Sequence, residues 1–577
     1  MTRASAPTNS RVRTRLALAA LFLGLCLLAA RAVYLQVLSA DYLKTQGQVR
    51  YSRIVKDNSH RGMVFDRNGV PLAISTPVDS VWAHPETTLD EAKNLATLAR
   101  VLDMTPRELT GLLERNRGRE FVYLRRHVTP DLAARVSALK VPGVSLLREY
   151  RRYYPAGPVT GHVIGFTNVD DQGQEGIELA YDQWLRAVPG TKRVLKDLRG
   201  NAVEIVESLR LPVAGRDLTT SLDRRIQYLA YRELKAAVAE NHARSGAAVV
   251  LDASTGEVLA LVNEPDFNPN NRANLRSETF RDRVVTDLYE PGSTLKPFTV
   301  AAALESGKFT PQTLIDTTPG TFQLGGKTIR DIHNYGVISV ARVIEKSSNV
   351  GASKIALALG REPLWDMLRR VGFAESTGSA LPGEVTGVLH PYARWVPIEQ
   401  ATISYGYGIS VTVLQLARAY AALANGGELV PVTLARRDTP PPRIHVMSQT
   451  IARAVGRMLE LAVEGDGTGR AARVPDYRIA GKTGTVHKLT ASGYASDDYV
   501  AWFAGFAPAD RPRLVMVVAI DGPRGGRYFG GEVAAPVFGQ VMSGALRLLD
   551  IPPDAPRPPP TQLVSAPTQE RHTGKDL

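Results

Sequence analysis

A long apolar run close to the amino terminus divides this 577-residue chain into parts that face different solvents. The run extends over residues 16–38 and contains a single charged residue, Arg31. At about 1.5 Å per residue, a helix of this length spans the apolar core of a bilayer, which is about 30 Å thick. Arg31 would then lie near the outer end, where its guanidinium can reach the membrane surface. We therefore predict that residues 16–38 form a transmembrane anchor.

The segment before this run predicts its orientation. Residues 1–15 contain four arginines and no acidic residue, and basic residues beside a membrane segment stay in the cytoplasm. Residues 1–15 are therefore predicted to be a cytoplasmic tail. A cleaved signal peptide is the alternative, because Ala30-Arg31-Ala32 has the small residues of a cleavage site. Either interpretation places the body of the protein outside the cytoplasm.

The composition disfavours several classes of protein. Hydrophobic residues make up 44% and charged residues 22% of the chain, an ordinary globular mixture, and 577 residues are enough for two or more domains. The formal net charge is +13, but the basic residues are scattered and no zinc-finger, RNP or basic-zipper pattern occurs, so no nucleic acid is expected. The single cysteine, Cys26, excludes an internal disulfide framework. The ten histidines show no metal-ligand spacing, which disfavours a metal enzyme.

Residues 39–215 have the mixed pattern of an α/β domain. RGMVFDRNGVPLA, residues 61–73, predicts two extended runs joined by a turn at Asp66–Gly69. TLDEAKNLATLARVLDM and TPDLAARVSAL have helical apolar periodicity, and Thr129 is the predicted N-cap of the second helix. No pair of acids in this region has a spacing that indicates sugar chemistry.

Residues 216–550 have a different order of elements. A helical segment precedes two β-rich runs in GAAVVLDASTGEVLALVN, a mostly helical stretch continues to about Leu461, and the β-rich runs RIAGKTGTV, YVAWFAGF and RLVMVVAI follow. A final helix is predicted at Ala535–Leu549. The pattern predicts an α+β domain with one antiparallel five-stranded sheet, flanked by helices, whose strands are distant in sequence. Residues 551–577 are proline-rich and poor in apolar residues, so we predict a disordered tail.

The stretch YEPGSTLKPFT contains the first candidate for catalysis. Ser293 and Lys296 are three residues apart, so on a helix that begins near Ser293 the amine would lie within reach of the hydroxyl. Pro297 fits a helix only in its first turn, which places the start close to Ser293. A lysine can activate a serine if burial or nearby cations lower its pKa from about 10.4. Alone, this spacing is more typical of a serine cap with a solvated lysine.

Two further stretches strengthen the case for catalysis. VIEKSSNVGASKIAL contains Ser347 and Asn349, and RIAGKTGTV contains residues 482–485 in a β context. Alone, the first is typical of a polar cap before a helix near Val350, and the second of a glycine-bearing edge strand. Acyl transfer to serine needs a nucleophile, a base, a proton path to the leaving group, an amide anchor and donors to the oxyanion. The three stretches together can supply all of these parts.

The order of the three stretches resembles that of the penicillin-binding protein and serine β-lactamase superfamily. Ser-x-Asn and Lys-Thr-Gly begin 54 and 189 residues after Ser293. Longer stretches, up to about residue 550, resemble the class B penicillin-binding proteins, specifically the septal cell-division peptidoglycan D,D-transpeptidases: RGMVFDRNG, RYYPAGPVTGHVIGFTNVDDQGQEGIE, SYGYGISVTVLQLARAYA and YFGGEVAAPVFGQVM. The resemblance implies a bitopic anchor, an elongated non-catalytic pedestal for dimerisation or partner binding at residues 39–215, and a penicillin-binding transpeptidase domain at residues 216–550.

The resemblance also implies a role for each motif residue. These roles are Ser293 as nucleophile, Lys296 as general base, Ser347 and Lys482 as proton relay, Asn349 as anchor of the substrate amide, and Thr483, Gly484 and Thr485 as the carboxylate site. The backbone N–H groups of Ser293 and Thr485 would form the oxyanion hole. The scheme requires no metal or organic cofactor.

Substrates, partners and location follow from the same resemblance. The substrates would be peptidoglycan stem peptides that end in D-Ala-D-Ala, and β-lactams would acylate Ser293 covalently. Because the pedestal carries no glycosyltransferase signature, strand polymerisation would belong to a multispanning septal glycosyltransferase, with other division proteins as further partners. The implied location is the bacterial inner membrane at the division septum, with the amino terminus in the cytoplasm and the catalytic domain in the periplasm.

Three alternatives stay open. The first is an elongation-type class B transpeptidase, which has the same chemistry in another complex. The second is a carboxypeptidase or β-lactamase, in which water takes the place of the acceptor amine. The third is a non-catalytic scaffold or β-lactam sensor that binds partners through the pedestal.

Overall fold

The computed structural model describes residues 9–42, 52–90, 92–196, 202–273, 276–490 and 493–555. Both predicted tails extend beyond these ranges, and the predicted domains at residues 39–215 and 216–550 include the gaps between them. Residues 1–8 of the predicted cytoplasmic tail and residues 556–577 of the predicted disordered tail lie outside the described residues.

The described helices are numbered here in chain order. In the first part of the chain they are α1 (Asn9–Val33), α2 (Pro85–Leu89), α3 (Ala92–Val101), α4 (Pro106–Arg115), α5 (Pro130–Ala138), α6 (Gly161–Ile164), α7 (Gly176–Ala180) and α8 (Asp182–Leu185). In the remainder they are α9 (Arg224–Glu240), α10 (Ser277–Phe280), α11 (Arg283–Thr286), α12 (Lys296–Glu305), α13 (Val340–Lys346), α14 (Asn349–Leu359), α15 (Arg361–Arg370), α16 (Pro397–Ile403), α17 (Val413–Ala424), α18 (Gln449–Val463), α19 (Gly530–Val533) and α20 (Ala535–Leu548).

The described strands are numbered in the same way. The first eight are β1 (Ser52–Asp57), β2 (Val64–Phe65), β3 (Pro71–Ala83), β4 (Val122–Val128), β5 (Val144–Tyr153), β6 (Gly190–Lys196), β7 (Ala202–Arg210) and β8 (Leu218–Thr219). The others are β9 (Ser245–Asp252), β10 (Val258–Glu264), β11 (Leu314–Asp316), β12 (Thr321–Leu324), β13 (Lys327–Arg330), β14 (Val337–Ser339), β15 (Glu428–Leu429), β16 (Ile444–His445), β17 (Ala480–Thr490), β18 (Gly493–Ala507) and β19 (Leu514–Asp521).

The amino-terminal helix is long and apolar. α1 continues at Val33 into a π-helical turn, Tyr34–Leu38, and the helical segment Arg11–Leu38 is long and apolar enough to cross a membrane. Its large apolar side chains are mostly exposed, as expected for a helix that contacts lipid. The segment fits a single-pass membrane anchor and includes the whole predicted span, residues 16–38.

The chain forms two compact units, each built from several segments. The first unit consists of Met1–Arg61, Ser75–Arg151 and Arg186–Gly215. It contains an antiparallel sheet of β1, β6 and β7, and a second sheet in which β3 pairs with both β4 and β5. Apolar residues of α3, α4 and α5 pack with those of β3 and β4 in one core, which includes Leu98 and Leu113. The predicted N-cap is confirmed, because the side chain of Thr129 accepts a hydrogen bond from the N–H of Leu132.

The second unit consists of Gly62–Ile74, Arg152–Leu185 and Arg216–Leu577. The last boundary between the units lies between Gly215 and Arg216. Two segments of the predicted pedestal nevertheless pack in the second unit, because β2 pairs in parallel with β8 and Tyr154 N–H donates to Asn270 Oδ1 at 3.0 Å. As functional domains, residues 39–215 and 216–550 stay a prediction.

The central sheet of the second unit has the strand order β10-β9-β19-β18-β17. All four neighbouring pairs are antiparallel, which confirms the predicted five-stranded sheet made of two early and three late strands. Successive residues of β9 face opposite sides, so Val249 lies in one apolar core and Val250 in another. The sheet is thus covered by helices on both faces, and β17 is left as an edge strand.

A fully buried helix supports one face of this sheet. All twelve residues of α17 are buried, including Gln415 and Arg418, whose side chains donate hydrogen bonds to the backbone carbonyls of Glu375 and Ser376. Its amino terminus carries a capping box between Thr412 and Gln415. The hydroxyl of Tyr420 donates to the carbonyl of Thr294 at 2.9 Å, so this helix holds the segment that carries Ser293.

Candidate active site

Ser293 lies in a tight turn that leads directly into a helix. Gly292–Leu295 forms a 3₁₀ turn, and α12 begins at Lys296 with Pro297 in its first turn. This confirms the predicted helix start near Ser293. Ser293 is partly exposed, whereas Lys296 is fully buried. The turn therefore presents the hydroxyl to solvent and keeps the amine below it.

Lys296 joins three of the predicted site residues. Its Nζ lies 2.9 Å from Ser293 Oγ and 2.8 Å from Asn349 Oδ1. It also lies 2.5 Å from the carbonyl oxygen of Ser347 and 3.2 Å from Ser347 Oγ. The structure thus brings Ser-x-x-Lys and Ser-x-Asn together around one nitrogen atom.

The surroundings of Lys296 favour its neutral form. Burial holds the pKa of Lys296 well below its usual value and the charge of Lys482 lowers it further, whereas the charge of Asp331 raises it. A neutral amine has two N–H bonds and one lone pair. The carbonyl of Ser347 and Oδ1 of Asn349 can only accept hydrogen bonds, so they take the two N–H groups. The lone pair is then available to the hydroxyl proton of Ser293.

The Ser347–Asn349 stretch is a sharp junction between two helices. Ser347 ends α13 with a left-handed backbone, φ +61°, which is uncommon for a residue other than glycine. The next residue, Ser348, caps α14 by accepting a hydrogen bond from Gly351 N–H at 2.8 Å. This junction directs the carbonyl of Ser347 and the amide of Asn349 towards Lys296.

The Lys-Thr-Gly-Thr stretch lies on the edge strand β17. Lys482 is fully buried, which lowers its pKa to about 7, and its Nζ donates to the carbonyl of Thr483 at 3.2 Å. The hydroxyl of Thr483 lies 2.6 Å from that of Thr468. Thr485 Oγ1 accepts a hydrogen bond from Gly530 N–H at 3.0 Å. A buried lysine and two held hydroxyls on one strand can attract and orient a carboxylate.

Gly484 allows this strand to lie directly against the serine turn. A Cβ atom at residue 484 would be 2.9 Å from the carbonyl oxygen of Pro291 and 3.1 Å from Cγ2 of Thr294. At Gly292, which has φ +55°, a Cβ atom would be 2.4 Å from Cγ1 of Val486. Both glycines are therefore needed for the close approach of β17 to Ser293.

Three residues of the site were missed by sequence reasoning. Asp331 accepts hydrogen bonds from the start of α14, Thr468 meets Thr483, and Glu290 Oε1 accepts from Gly408 N–H at 2.7 Å and from the hydroxyl of Tyr494 at 2.9 Å. Thr468 lies between two glycines in GDGTGR, a local sign of a tight loop. Glu290 lies three residues before Ser293 in the candidate stretch YEPGSTLKPFT, whereas nothing in the spacing of Asp331 points to the site.

The chain matches two protein families along most of its length. Residues 56–220 match the penicillin-binding protein dimerisation domain, and residues 246–543 match the penicillin-binding protein transpeptidase domain.

Two relatives are similar to this chain over the same range. The peptidoglycan D,D-transpeptidase FtsI of Escherichia coli is 43% identical over 540 residues, which cover 93% of this chain and 91% of the relative. The probable peptidoglycan D,D-transpeptidase PenA of Neisseria gonorrhoeae is 40% identical over 554 residues, which cover 95% of this chain and 95% of the relative.

Solved structures agree with these matches. Penicillin-binding protein 3 of Mycobacterium tuberculosis in complex with aztreonam is 28% identical, with a TM-score of 0.68 over 87% of this chain and 99% of that chain. The transpeptidase domain of penicillin-binding protein 3 of Burkholderia pseudomallei is 46% identical, with a TM-score of 0.54 over 58% of this chain and 98% of that chain.

Proposed function

This chain belongs to the class B penicillin-binding proteins and is a serine-type peptidoglycan D,D-transpeptidase of the cell-division kind, and from this premise we propose how its residues carry out the reaction. The observation that carries the proposal is the position of Lys296 Nζ, 2.9 Å from Ser293 Oγ and 2.8 Å from Asn349 Oδ1. The nucleophile, its base and a group that can bind a peptide amide therefore meet at one point.

Acylation begins with Ser293. Its Oγ attacks the carbonyl carbon of the penultimate D-Ala of a stem peptide, and the hydroxyl proton passes to the neutral amine of Lys296. The developing oxyanion is bound by the backbone N–H groups of Ser293 and Thr485. Support for Lys296 as the base comes from its burial, because burial lowers the pKa of this amine well below its usual value and a neutral amine can accept the proton.

Collapse of the tetrahedral intermediate breaks the peptide bond and releases the terminal D-Ala. The leaving nitrogen needs a proton, which it receives through Ser347 and Lys482. Ser347 Oγ lies 3.2 Å from Lys296 Nζ, so the proton taken from Ser293 has a short path to it. The acyl-enzyme is an ester of Ser293. The amine of a second stem peptide attacks the ester carbon, the bond from this carbon to Ser293 Oγ breaks, and Oγ regains a proton as the amine loses one and the cross-link forms.

The remaining motif residues bind the substrate. Asn349 holds an amide of the donor stem, and Thr483, Gly484 and Thr485 receive its terminal carboxylate beside Lys482. The hydrogen bonds of Thr483 to Thr468 and of Gly530 to Thr485 support these roles, because they hold both hydroxyls on the strand that faces the serine turn. A β-lactam, which mimics D-Ala-D-Ala, forms the same ester at Ser293.

The location and partners extend the proposal. The single amino-terminal helix anchors the chain, and the four arginines of residues 1–15 favour a cytoplasmic amino terminus with the catalytic unit in the periplasm at the septum. Residues 39–215 serve as a pedestal that binds a multispanning septal glycosyltransferase and other division proteins. Protease added to intact spheroplasts should then degrade the catalytic unit and spare residues 1–15.

The intact mass of the full-length chain in detergent, after incubation with benzylpenicillin, tests the chemistry. A persistent one-drug adduct that maps to Ser293 and is absent from Ser293→Ala is expected. An adduct lost within seconds would indicate a hydrolase instead, and a folded chain without any adduct would indicate a scaffold. Depletion in growing cells separates the two pathways, because filaments indicate division and rounded cells indicate elongation.

A further inference from the structure

Asp331 is bound to the junction that carries Ser347 and Asn349. Its Oδ1 accepts hydrogen bonds from the backbone N–H groups of Asn349, at 2.5 Å, and Val350, at 3.0 Å. Its Oδ2 accepts a hydrogen bond from Ser348 Oγ at 2.6 Å. One carboxylate thus holds three consecutive residues at the start of α14.

The backbone beside Asp331 adds a further contact. The carbonyl of Arg330, the last residue of β13, accepts a hydrogen bond from Asn349 Nδ2 at 3.1 Å. Asp331 N–H itself donates to the carbonyl of Gly320 at 2.9 Å. Asn349 is therefore held at its backbone N–H by the carboxylate and at its amide nitrogen by the preceding carbonyl. This leaves Oδ1 of Asn349 directed at Lys296.

The contacts of Asp331 stabilise an unusual backbone. Ser347 has a left-handed conformation, and its carbonyl receives Lys296 Nζ at 2.5 Å. The first N–H groups of a helix have no partner within the helix, and a carboxylate there binds them and complements the helix dipole. Asp331 therefore stabilises the helix start that follows directly after Ser347.

Asp331 also contributes a charge to the site. Lys296 and Lys482 are both fully buried, and the hydrogen-bond acceptors described for their Nζ atoms are carbonyl, amide and hydroxyl oxygens. The charge of Asp331 raises the pKa of Lys296, against burial and the charge of Lys482. On its other side Asp331 acts on Tyr335, whose pKa is raised by burial and by this carboxylate.

We propose that Asp331 is a positioning residue for the acylation of Ser293: it holds Ser347 and Asn349 in the shape that receives Lys296, and its negative charge acts on the buried amine of Lys296. The inference rests on the proposed function, because it concerns the same reaction. Asp331 acts through Lys296 and the Ser347 junction and does not contact the reacting atoms.

An asparagine at residue 331 separates the charge from the hydrogen bonds. Its Oδ1 can still accept from Asn349 and Val350, and its Nδ2 can donate to Ser348 Oγ. The charge is lost, the two hydrogen bonds from the backbone are kept, and the hydrogen bond to Ser348 reverses its direction, because the hydroxyl that donated to the carboxylate now accepts from the amide. Without it the pKa of Lys296 falls further, so the neutral amine persists to lower pH. Alanine removes both the charge and the hydrogen bonds.

The test is the second-order rate of labelling by a fluorescent penicillin, measured between pH 5 and pH 10 on the full-length chain in detergent. For Asp331→Asn we expect the acidic limb of the profile to move by about one pH unit to lower pH. For Asp331→Ala we expect the plateau to fall at least about tenfold as well, because Ser347 and Asn349 lose their support. The control is Asp316→Asn at the exposed last residue of β11, where the carboxylate accepts from Thr318 N–H at 2.8 Å, and its profile should match the wild type.

Ser348→Ala provides a second measurement that does not depend on the stability of the Asp331 variants. It removes one hydrogen bond to Asp331 and keeps the charge, so the plateau should fall while the acidic limb stays in place. If both Asp331 variants label within twofold of the wild-type rate at every pH, this inference is overturned and the proposed function is not. A shift in the acidic limb of the Ser348→Ala pH profile would have the same meaning. An unlabelled wild-type chain would overturn the proposed function and this inference with it.

Discussion

Replacing Gly484 by alanine tests whether the close approach of β17 to the serine turn is required for acylation. The added Cβ would lie 2.9 Å from the carbonyl oxygen of Pro291, whereas an ordinary contact begins near 3.4 Å. The strand and the turn must therefore separate by about 0.5 Å. Pro291 contributes a backbone atom, which cannot rotate away as a flexible side chain would.

The expected loss follows from this displacement. A misplacement of about 1 Å between catalytic groups can cost about 10²-fold in rate, so half of it corresponds to about tenfold, or about 1.4 kcal/mol in the barrier. The overpacked contact should also lower the free energy of unfolding by about 1–3 kcal/mol. We expect Gly484→Ala to acylate about tenfold more slowly and to unfold at a lower temperature.

The assay is labelling of the full-length chain by a fluorescent penicillin, with thermal unfolding measured on the same sample. Gly456→Ala is the matched control, because a Cβ atom there lies 3.6 Å from Phe506 in ordinary contact, within the helix α18. This variant should label at the wild-type rate. A Gly484→Ala chain that labels within twofold of the wild type would refute the argument from close approach.

Three further predictions follow from single residues. Lys296→Arg should lower the labelling rate by about 10²–10⁴-fold, because a guanidinium stays charged and cannot accept the serine proton; labelling within tenfold of the wild type would contradict this. Burial lowers the pKa of Lys482 to about 7, against about 10.4 in an unfolded chain. Between these two pH values the unfolded state binds more protons than the folded state. The contribution of Lys482 therefore makes the free energy of unfolding rise with pH in this range. Lys482→Met should flatten this rise in denaturant unfolding, and an unchanged slope would be evidence against a buried neutral amine. Thr105→Ala removes the capping box of α4 and should cost about 1 kcal/mol of stability without any change in labelling; slower labelling would show an effect of that helix on the catalytic unit.

Local patterns in the sequence were enough to predict much of the fold. The apolar run at residues 16–38 lies within the helical segment Arg11–Leu38, and the last helix, predicted at Ala535–Leu549, is observed at Ala535–Leu548. The five β-rich runs, two early and three late in this part of the chain, predicted the central sheet. These predictions succeed because helices and strands form between residues close in the chain, and because the faces that are buried determine where apolar residues recur in the sequence.

The sequence by itself determined the parts of the site that depend on spacing along one helix. Lys296 Nζ lies 2.9 Å from Ser293 Oγ because positions three apart share a face and Pro297 fixes where the helix begins. Only the tertiary structure decided which residues surround that pair. Asp331 lies 17 to 19 residues before its partners and Thr468 lies 15 before Thr483, beyond the reach of any helical or strand period. The lowered pKa of Lys296 arises from burial and from the charge of Lys482. Hydrogen bonds and desolvation depend on distance in space, which a one-dimensional pattern does not contain.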